Sequence, residues 1–217
     1  MAEGEARGAT LVAVLAVENL RAAWLAVKAN DGAPGVDKMD MEQSARHLRE
    51  HWETMRTKLL SGEYKPGAVR AVSIPKANGG ERQLGIPNIT DRLIQQAIHQ
   101  VLSPLWEADF SDHSHGFRPN RSAHDAVKAA SAHVKEGKTW VVDIDLKKLP
   151  ACFERVRQAV SATLWLFDQV DNDKLMHLLR SNVEDKSLRE LIGAYLRAPM
   201  QNADGSKVKR SKGTPQG

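Results

Sequence analysis

The sequence predicts an α+β fold, and three observations carry that reading. Two segments place apolar residues at helical spacing, with Leu20, Trp24 and Val27 in one stripe and Ala45, Leu48, Trp52, Met55 and Leu59 in another. Between later helical stretches, residues 69–86 alternate around a glycine-rich turn, the pattern of a hairpin. A short β-branched and aromatic run, Thr139 to Ile144, reads as a buried strand that ends in acids. Helices, a hairpin, more helices and a core strand in that order argue for segregated helices and strands rather than alternating βαβ units.

Each element has a local cause. A first helix is expected from about Glu18 to Ala29, ended by the turn residues Asn30-Asp31-Gly32-Ala33-Pro34-Gly35. A second runs from about Met41 to Leu60 and stops at Gly62. Val69 to Ile74 and Arg82 to Ile86 form the hairpin arms, with Ala77-Asn78-Gly79-Gly80 as the turn. Thr90 is expected to cap a helix to Leu102, whose pattern Ser103-Pro104 interrupts. Asp112 to Asn120 reads as a polar loop, and Ser122-Ala123-His124-Asp125 as the capping box of a helix to about Val134. Two or three helical stretches follow the acid-ended strand.

Composition bounds the class. Of 217 residues, 41% are apolar and 27% charged, which suits a globular chain and not a disordered one. The apolar stretch from Ala9 to Val17 is too short for a membrane span, and Glu3 and Glu5 outweigh Arg7, so no basic leader is read. The single Cys152 excludes an internal disulfide and a multi-cysteine zinc site, and a cytoplasmic location is the expectation. The net charge of +4 hides a gradient, from 4 basic and 7 acidic residues over 1–43 to 14 and 10 over 44–140. A mildly basic body suits a polyanionic partner but does not by itself identify one.

Four groups of residues bear chemistry. Asp143 and Asp145 close the run Trp140-Val141-Val142, and strand alternation turns both carboxylates to one face. That suits Mg²⁺, which takes hard oxygen ligands and few protein carboxylates, although solvated acids or a helix cap fit as well. Lys76 and Arg82 flank the hairpin turn and could face one anion, or stand solvated. Arg118 and Arg121 precede a helix N-terminus, where phosphate is favoured; an ordinary surface loop is the other reading. His113 and His115 lack the further ligands zinc needs, and Cys152 reads as a small apolar residue.

The strings I-P-K-A-N-G-G-E-R-Q-L-G-I-P (74–87), D-R-L-I-Q-Q-A (91–97), H-G-F-R-P-N-R-S-A-H-D-A-V (115–127), V-V-D-I-D-L-K-K (141–148), F-D-Q-V-D-N-D-K-L-M (167–176) and G-T-P-Q-G (213–217) occur in order. Together they resemble the reverse-transcriptase part of bacterial group II intron-encoded proteins. N-L-R-A-A-W through K-A-N-D-G-A-P-G-V-D (19–37) resembles that family's leading segment. The resemblance implies reverse-transcriptase fingers and an incomplete palm of the right-hand polymerase fold. Residues 1–43 would be the N-terminal extension, 44–140 the fingers, and 141–217 a partial palm with an insertion at about 149–166.

What the resemblance implies for function is RNA-templated DNA synthesis with Mg²⁺ as cofactor. Asp145 would be the catalytic, metal-binding acid, with Asp143 in support. Lys76 and Arg82 would hold the dNTP, Gln216 and Gly217 would line its pocket, and Arg118 and Arg121 would approach the template. The partners implied are intron RNA as template, a DNA primer or target and dNTP, with no membrane and a dimer left open. Two departures bear on this. Leu149-Pro150 stands where the family has Phe-Phe, so Phe167 becomes the candidate for the sugar-gating aromatic. The chain also stops at Gly217, before the Tyr-Ala-Asp-Asp hairpin that carries the family's other catalytic acids. The expectation is a piece that is inactive by itself. The alternatives are a non-catalytic, maturase-like RNA-binding remnant and a reverse transcriptase from another setting such as a defence system.

Overall fold

The computed structural model describes residues 9–75, 81–142 and 171–209. Its helices are α1 (Leu11–Val14), α2 (Val17–Asn30), α3 (Met41–Leu60), α4 (Ile89–Glu107), α5 (Ala123–Lys135), α6 (Asn172–Asn182) and α7 (Lys186–Leu196). Its strands are β1 (Val69–Pro75), β2 (Glu81–Ile86), β3 (Met200–Gln201) and β4 (Lys207–Val208). The sheet order is β2-β1-β3-β4, antiparallel except for the parallel β1–β3 pair. Helices lie against a small, mostly antiparallel sheet, so the described residues form the α+β architecture that the sequence predicts.

The local signals explain most element ends. Asp31 adopts a left-handed conformation, φ 40°, and ends α2 at the turn residues. Asp40 and Gln43 cap α3 reciprocally, each side chain taking the other's backbone N–H at 2.8 and 3.0 Å. Gly62, φ 76°, stops the same helix. Ser122 and Asp125 form the second capping box, at the start of α5. In α3 the predicted stripe faces inward, with Leu59 buried and Leu48 and Trp52 packed on the core.

Three expectations fail, two of them in α4, each for a physical reason. Thr90 is not the cap of α4; Asn88 is, and Thr90 is a buried residue of the first turn. Asn88 makes no side-chain cap bond, because its Oδ1 instead accepts the N–H groups of Val36 and Asp37 at 3.0 and 3.4 Å. The same helix also runs through Ser103-Pro104 to Glu107, since burial of its apolar face outweighs one missing N–H. The run from Thr139 is the third miss. Residues 139–142 join no strand, and Trp140, Val141 and Val142 are exposed. β-branched residues supply propensity, but a strand forms only beside a partner, and none of the described strands lies along it. Asp143 and Ile144 lie outside the described residues.

One core joins all three blocks of the sequence. Leu11, Val14 and Ala23 from the N-terminal segment pack with Leu93, Ile94, Ala97 and Ile98 of α4 and with Val183, Leu188 and Leu191. Each fully buried Ile or Leu adds about 2 kcal/mol of apolar burial. Polar bonds fix the register of the packing. Asn19 donates to the carbonyls of Val14 and Ala97, and Gln100 donates back to Asn19 Oδ1 at 2.7 Å. Asp185 caps α7 through Leu188 N–H and, with its other oxygen, accepts Leu11 N–H at 2.7 Å.

The first turn of α4 is the busiest junction. Asp91 Oδ1 accepts the hydroxyls of Tyr64 and Tyr195 at 2.8 and 3.2 Å, and its Oδ2 accepts Gly67 N–H at 3.0 Å. Arg92 donates to the carbonyl of Ala33 at 2.7 Å, holding the 30–37 turn on the helix. Gly35 fits there for lack of a side chain, since a Cβ would come within 2.7 Å of Asn88 backbone atoms. Beside this junction a cavity of about 210 Å³ is lined by Val69, Asp91, Ile98, Ile192 and Tyr195, among others.

The junction is open to test at two of its residues. Gly35→Ala forces backbone apart and should lower stability by ~2 kcal/mol in urea unfolding; an unchanged midpoint would show that the turn yields freely. Asp91 carries a pH signature. Burial raises its carboxyl above the ordinary value, against the pull of its three donors. The native state then holds a proton the unfolded chain gives up, so this contribution to stability is full at acid pH and is lost as pH rises through the folded value. The stability of the wild-type chain relative to Asp91→Asn should therefore fall from about pH 4 upward. A difference that stays flat or rises with pH would contradict it.

Candidate nucleic-acid interface

Three of the predicted binding residues are described, Arg82 in the sheet and Arg118 and Arg121 in the loop before α5. In the β1–β2 ladder, Arg70 stands opposite Ile86, Val72 opposite Leu84 and Ile74 opposite Arg82. Arg82 is thus placed on β2, near the tip of the hairpin. Lys76, Asp143, Asp145, Cys152, Phe167, Gln216 and Gly217 lie outside the described residues. The candidate Mg²⁺ ligand, Asp145, is one of these. Among the described residues, no group of three or more His, Cys, Asp or Glu could hold a metal ion.

Arg118 and Arg121 share one loop but differ in environment. The Arg118 side chain is only 7% exposed and pairs with Glu107 at 2.8 Å. Its Nη1 donates to the carbonyls of Ser111 and Ser114 at 2.6 and 3.1 Å, and its guanidinium lies 5.2 Å from the Phe110 ring centroid. These bonds staple the loop to the C-terminal end of α4, where a cation also complements the helix dipole. Arg121 is 31% exposed and donates to the Asp112 carbonyl at 2.9 Å, with a longer ion pair to the Asp112 carboxylate. Arg121 therefore keeps donors accessible for a phosphate, while the donors of Arg118 are largely engaged.

The loop itself is shaped by backbone. Phe117 and Asn120 take positive φ values of 56° and 58°, and the Phe117 ring is fully exposed. The Ser122 hydroxyl, followed by its N–H, holds the Asp125 carboxylate below its ordinary range, and this capping fixes the start of α5 beside Arg121. His113 lies 6.4 Å from His133, ring to ring, and not against His115. The His115 Nδ1 atom is buried without a partner.

Sequence reasoning passed over the α4 junction and Arg70. Asp91 lies three and seven residues before Ile94 and Ile98, which puts an acid on the apolar stripe of a helix. That placement signals a buried carboxylate with partners. Arg70 alternates with Val69 and Ala71, and nothing in its immediate sequence marks it. Burial lowers the Arg92 guanidinium below its ordinary value; Asp37 opposes this and the charge of Arg70 adds to it.

Comparison with known proteins identifies the segment. The family described as "Reverse transcriptase (RNA-dependent DNA polymerase)" matches residues 74–162. Protein YkfC of Escherichia coli K12 is 34% identical over 188 residues, covering 85% of this chain and 45% of YkfC. The group II intron-encoded protein LtrA of Lactococcus lactis subsp. cremoris is 36% identical over 161 residues, 73% of this chain and 24% of LtrA. The chain thus spans less than half the length of these curated relatives. In fold it is similar to a chain of a partial Cas6-RT-Cas1–Cas2 complex, with a TM-score of 0.55 at 18% identity, over 94% of this chain and 31% of that one. No helix among the described residues is long and apolar enough to cross a membrane.

The two arginines separate in a test. Arg118→Ala removes the partner of the Glu107 carboxylate and of three carbonyls and should cost about 2 kcal/mol. At roughly 2–4 °C per kcal/mol, that lowers the midpoint of thermal unfolding by about 4–8 °C. Arg121→Ala should stay within ~0.5 kcal/mol of wild type. Equal losses in the two variants would contradict the division of roles between staple and open cation. By its matched residues, this chain carries a reverse transcriptase domain and is homologous, over part of their length, to the group II intron protein LtrA and to YkfC.

Proposed function

We propose that the chain is the fingers and the first part of the palm of a group II intron RNA-directed DNA polymerase. The observation that carries this is the reverse-transcriptase match over residues 74–162, a stretch that includes the hairpin turn, β2, the arginine loop and Asp145. The basic block from 44 to 140 supports it, with 14 Lys and Arg against 10 Asp and Glu. In this reading the substrates are an RNA template, a DNA primer and dNTP.

Roles follow residue by residue. Lys76 and Arg82, on either side of the hairpin turn, neutralise the triphosphate, Lys as a point charge and Arg through paired donors. Arg121 takes a template phosphate, and Arg118 positions the loop that carries it. Gln216 and Gly217 line the nucleotide pocket, and Phe167 stands against the sugar. Asp145 would hold Mg²⁺, whose chemistry when bound is to neutralise charge on the transferred phosphate. Only Asp145 among residues 1–217 corresponds to one of the family's catalytic acids, so this stretch alone binds its substrates without joining them. The non-catalytic RNA-binding reading shares the first half of that statement and drops the dNTP.

Nucleotide binding separates the two readings. The chain should bind dNTP, and Lys76→Ala and Arg82→Ala should each weaken it about tenfold, or ~1.4 kcal/mol. Equilibrium binding of a fluorescent dNTP is the measurement. Undetectable dNTP affinity alongside RNA binding would favour the RNA-binding remnant. Primer extension on an RNA template with Mg²⁺ should show no incorporation by residues 1–217, and clear incorporation would overturn the assignment of Asp145 as their sole catalytic acid.

A further inference from the structure

The sheet joins two parts of the sequence that the motifs treat separately. β3 runs parallel to β1, with Val69 N–H donating to the Pro199 carbonyl at 2.8 Å, and β4 folds back on β3. In the ladder Arg70 is opposite Gln201, and Gln201 is opposite Lys207. Directly paired residues lie on one face of a sheet. Ile86, Arg70, Gln201 and Lys207 therefore form one row across all four strands. The neighbouring row, Val69, Met200 and Val208, shares the other face, and Val69 there is buried against the helices.

The polar row is held in place and lacks internal partners. The turn between β3 and β4 is closed by Asn202 N–H to the Ser206 carbonyl at 2.9 Å and Gly205 N–H to the Asn202 carbonyl at 3.0 Å, with Gly205 at φ 84°. Asp204 at its tip accepts Ser206 N–H and hydroxyl at 2.9 and 2.6 Å, so this acid is engaged within the turn. Arg70 keeps a buried Nε with no hydrogen-bond partner. Among the described residues, neither Arg70 nor Lys207 forms an ion pair. A half-buried guanidinium with no counter-ion is costly, and an anion from outside that reaches its terminal nitrogens would relieve that cost.

We propose that Arg70, Gln201 and Lys207, aligned across β1, β3 and β4, form a strip that takes successive phosphates of a single nucleic-acid strand. The proposal rests on the reading of the chain as a nucleic-acid-handling domain, and it adds the β3–β4 hairpin to the binding surface. Strands lie ~4.8 Å apart, so Arg70 and Lys207 are on the order of 10 Å apart at their backbones, within reach of neighbouring phosphates of one strand for two long cationic side chains. Gln201 between them offers an amide to phosphate or sugar oxygens. Ile86 closes the row with an apolar edge.

The test uses the full chain and a fluorescein-labelled 20-nucleotide single-stranded RNA, with affinity measured across a salt series. Lys207 is exposed at a strand end, so its variants should fold, as circular dichroism would verify. Lys207→Ala should weaken binding about fivefold at low salt and reduce the slope of log affinity against log salt by about 0.7, the value of one phosphate on a single strand. Lys207→Glu should weaken it further, while Arg70→Lys should keep the slope. Lys186→Ala, the same charge change on α7, should bind within about twofold of wild type. Salt-dependent binding by wild type with Lys207→Glu unaffected would overturn the strip and leave the proposed function standing. An equal loss in Lys186→Ala would overturn it too, as a net-charge effect. A wild-type chain with no salt-dependent RNA affinity would remove both.

Discussion

The first turn of α4 is the constraint on which the rest of the structure depends. Three of its side chains are turned toward three different segments: Asn88 and Arg92 toward the 30–37 turn, and Asp91 toward the entry to β1 and toward α7. A carboxylate buried in apolar surroundings is tolerated only with donors, and Asp91 has three. Its position in the first helical turn helps as well, since the dipole favours negative charge there. Loss of this anchor would loosen the 30–37 turn, the root of the hairpin and α7 together, because each is hydrogen-bonded to the same helical turn. The hairpin is thereby aimed by its base.

What was legible in the sequence was what local chemistry decides. The capping residues Asp40, Gln43, Ser122 and Asp125 marked helix starts, because a cap is a contact within four residues. The hairpin arms and the helical stripes were read for the same reason. Thr90 misled because a cap's worth depends on whether its oxygen is free, and Asn88 preceded it with a long-range use for its own. The run from Thr139 misled because strand pairing is not local. The β1–β3 pair was invisible on the same ground, since its partners are some 130 residues apart in the chain and β3 is two residues long. Of the candidate site, the sequence named the residues, and the described structure adds the placement of Arg82, Arg118 and Arg121.

Arginines illustrate why residue type alone does not assign a role. Arg118, Arg121, Arg70 and Arg92 carry the same group, yet their environments divide them. Arg118 is enclosed by an acid, three carbonyls and a ring, and its replacement costs packing and hydrogen bonds together. Arg92 commits its terminal nitrogen to a backbone carbonyl. Arg121 is partly open, and Arg70, whose Nε is unpartnered like that of Arg92, lacks the terminal bond that Arg92 makes. A motif that contains two arginines three residues apart therefore combines a structural staple with an available cation, and burial decides which is which.

The parallel pairing of β3 with β1 then acquires a meaning beyond stability. Two residues of β3 bury little surface, so pairing contributes few kcal/mol, and a slip by one residue would at first sight be cheap. Such a slip would turn Met200 to the face now held by Gln201 and carry Lys207, still paired with Gln201, out of the row of Arg70, since side chains alternate with a period of two. Two features oppose it. Pro199 fixes the approach through its carbonyl bond to Val69, and the β3–β4 turn is closed by its own hydrogen bonds, so the hairpin can move only as a unit. Val69, buried at 3% exposure, anchors the register from the other strand. The register thus owes more to the core face than to the polar one: the apolar contacts of Val69 decide where Arg70 and Lys207 stand, and the cations themselves contribute nothing to holding the row together.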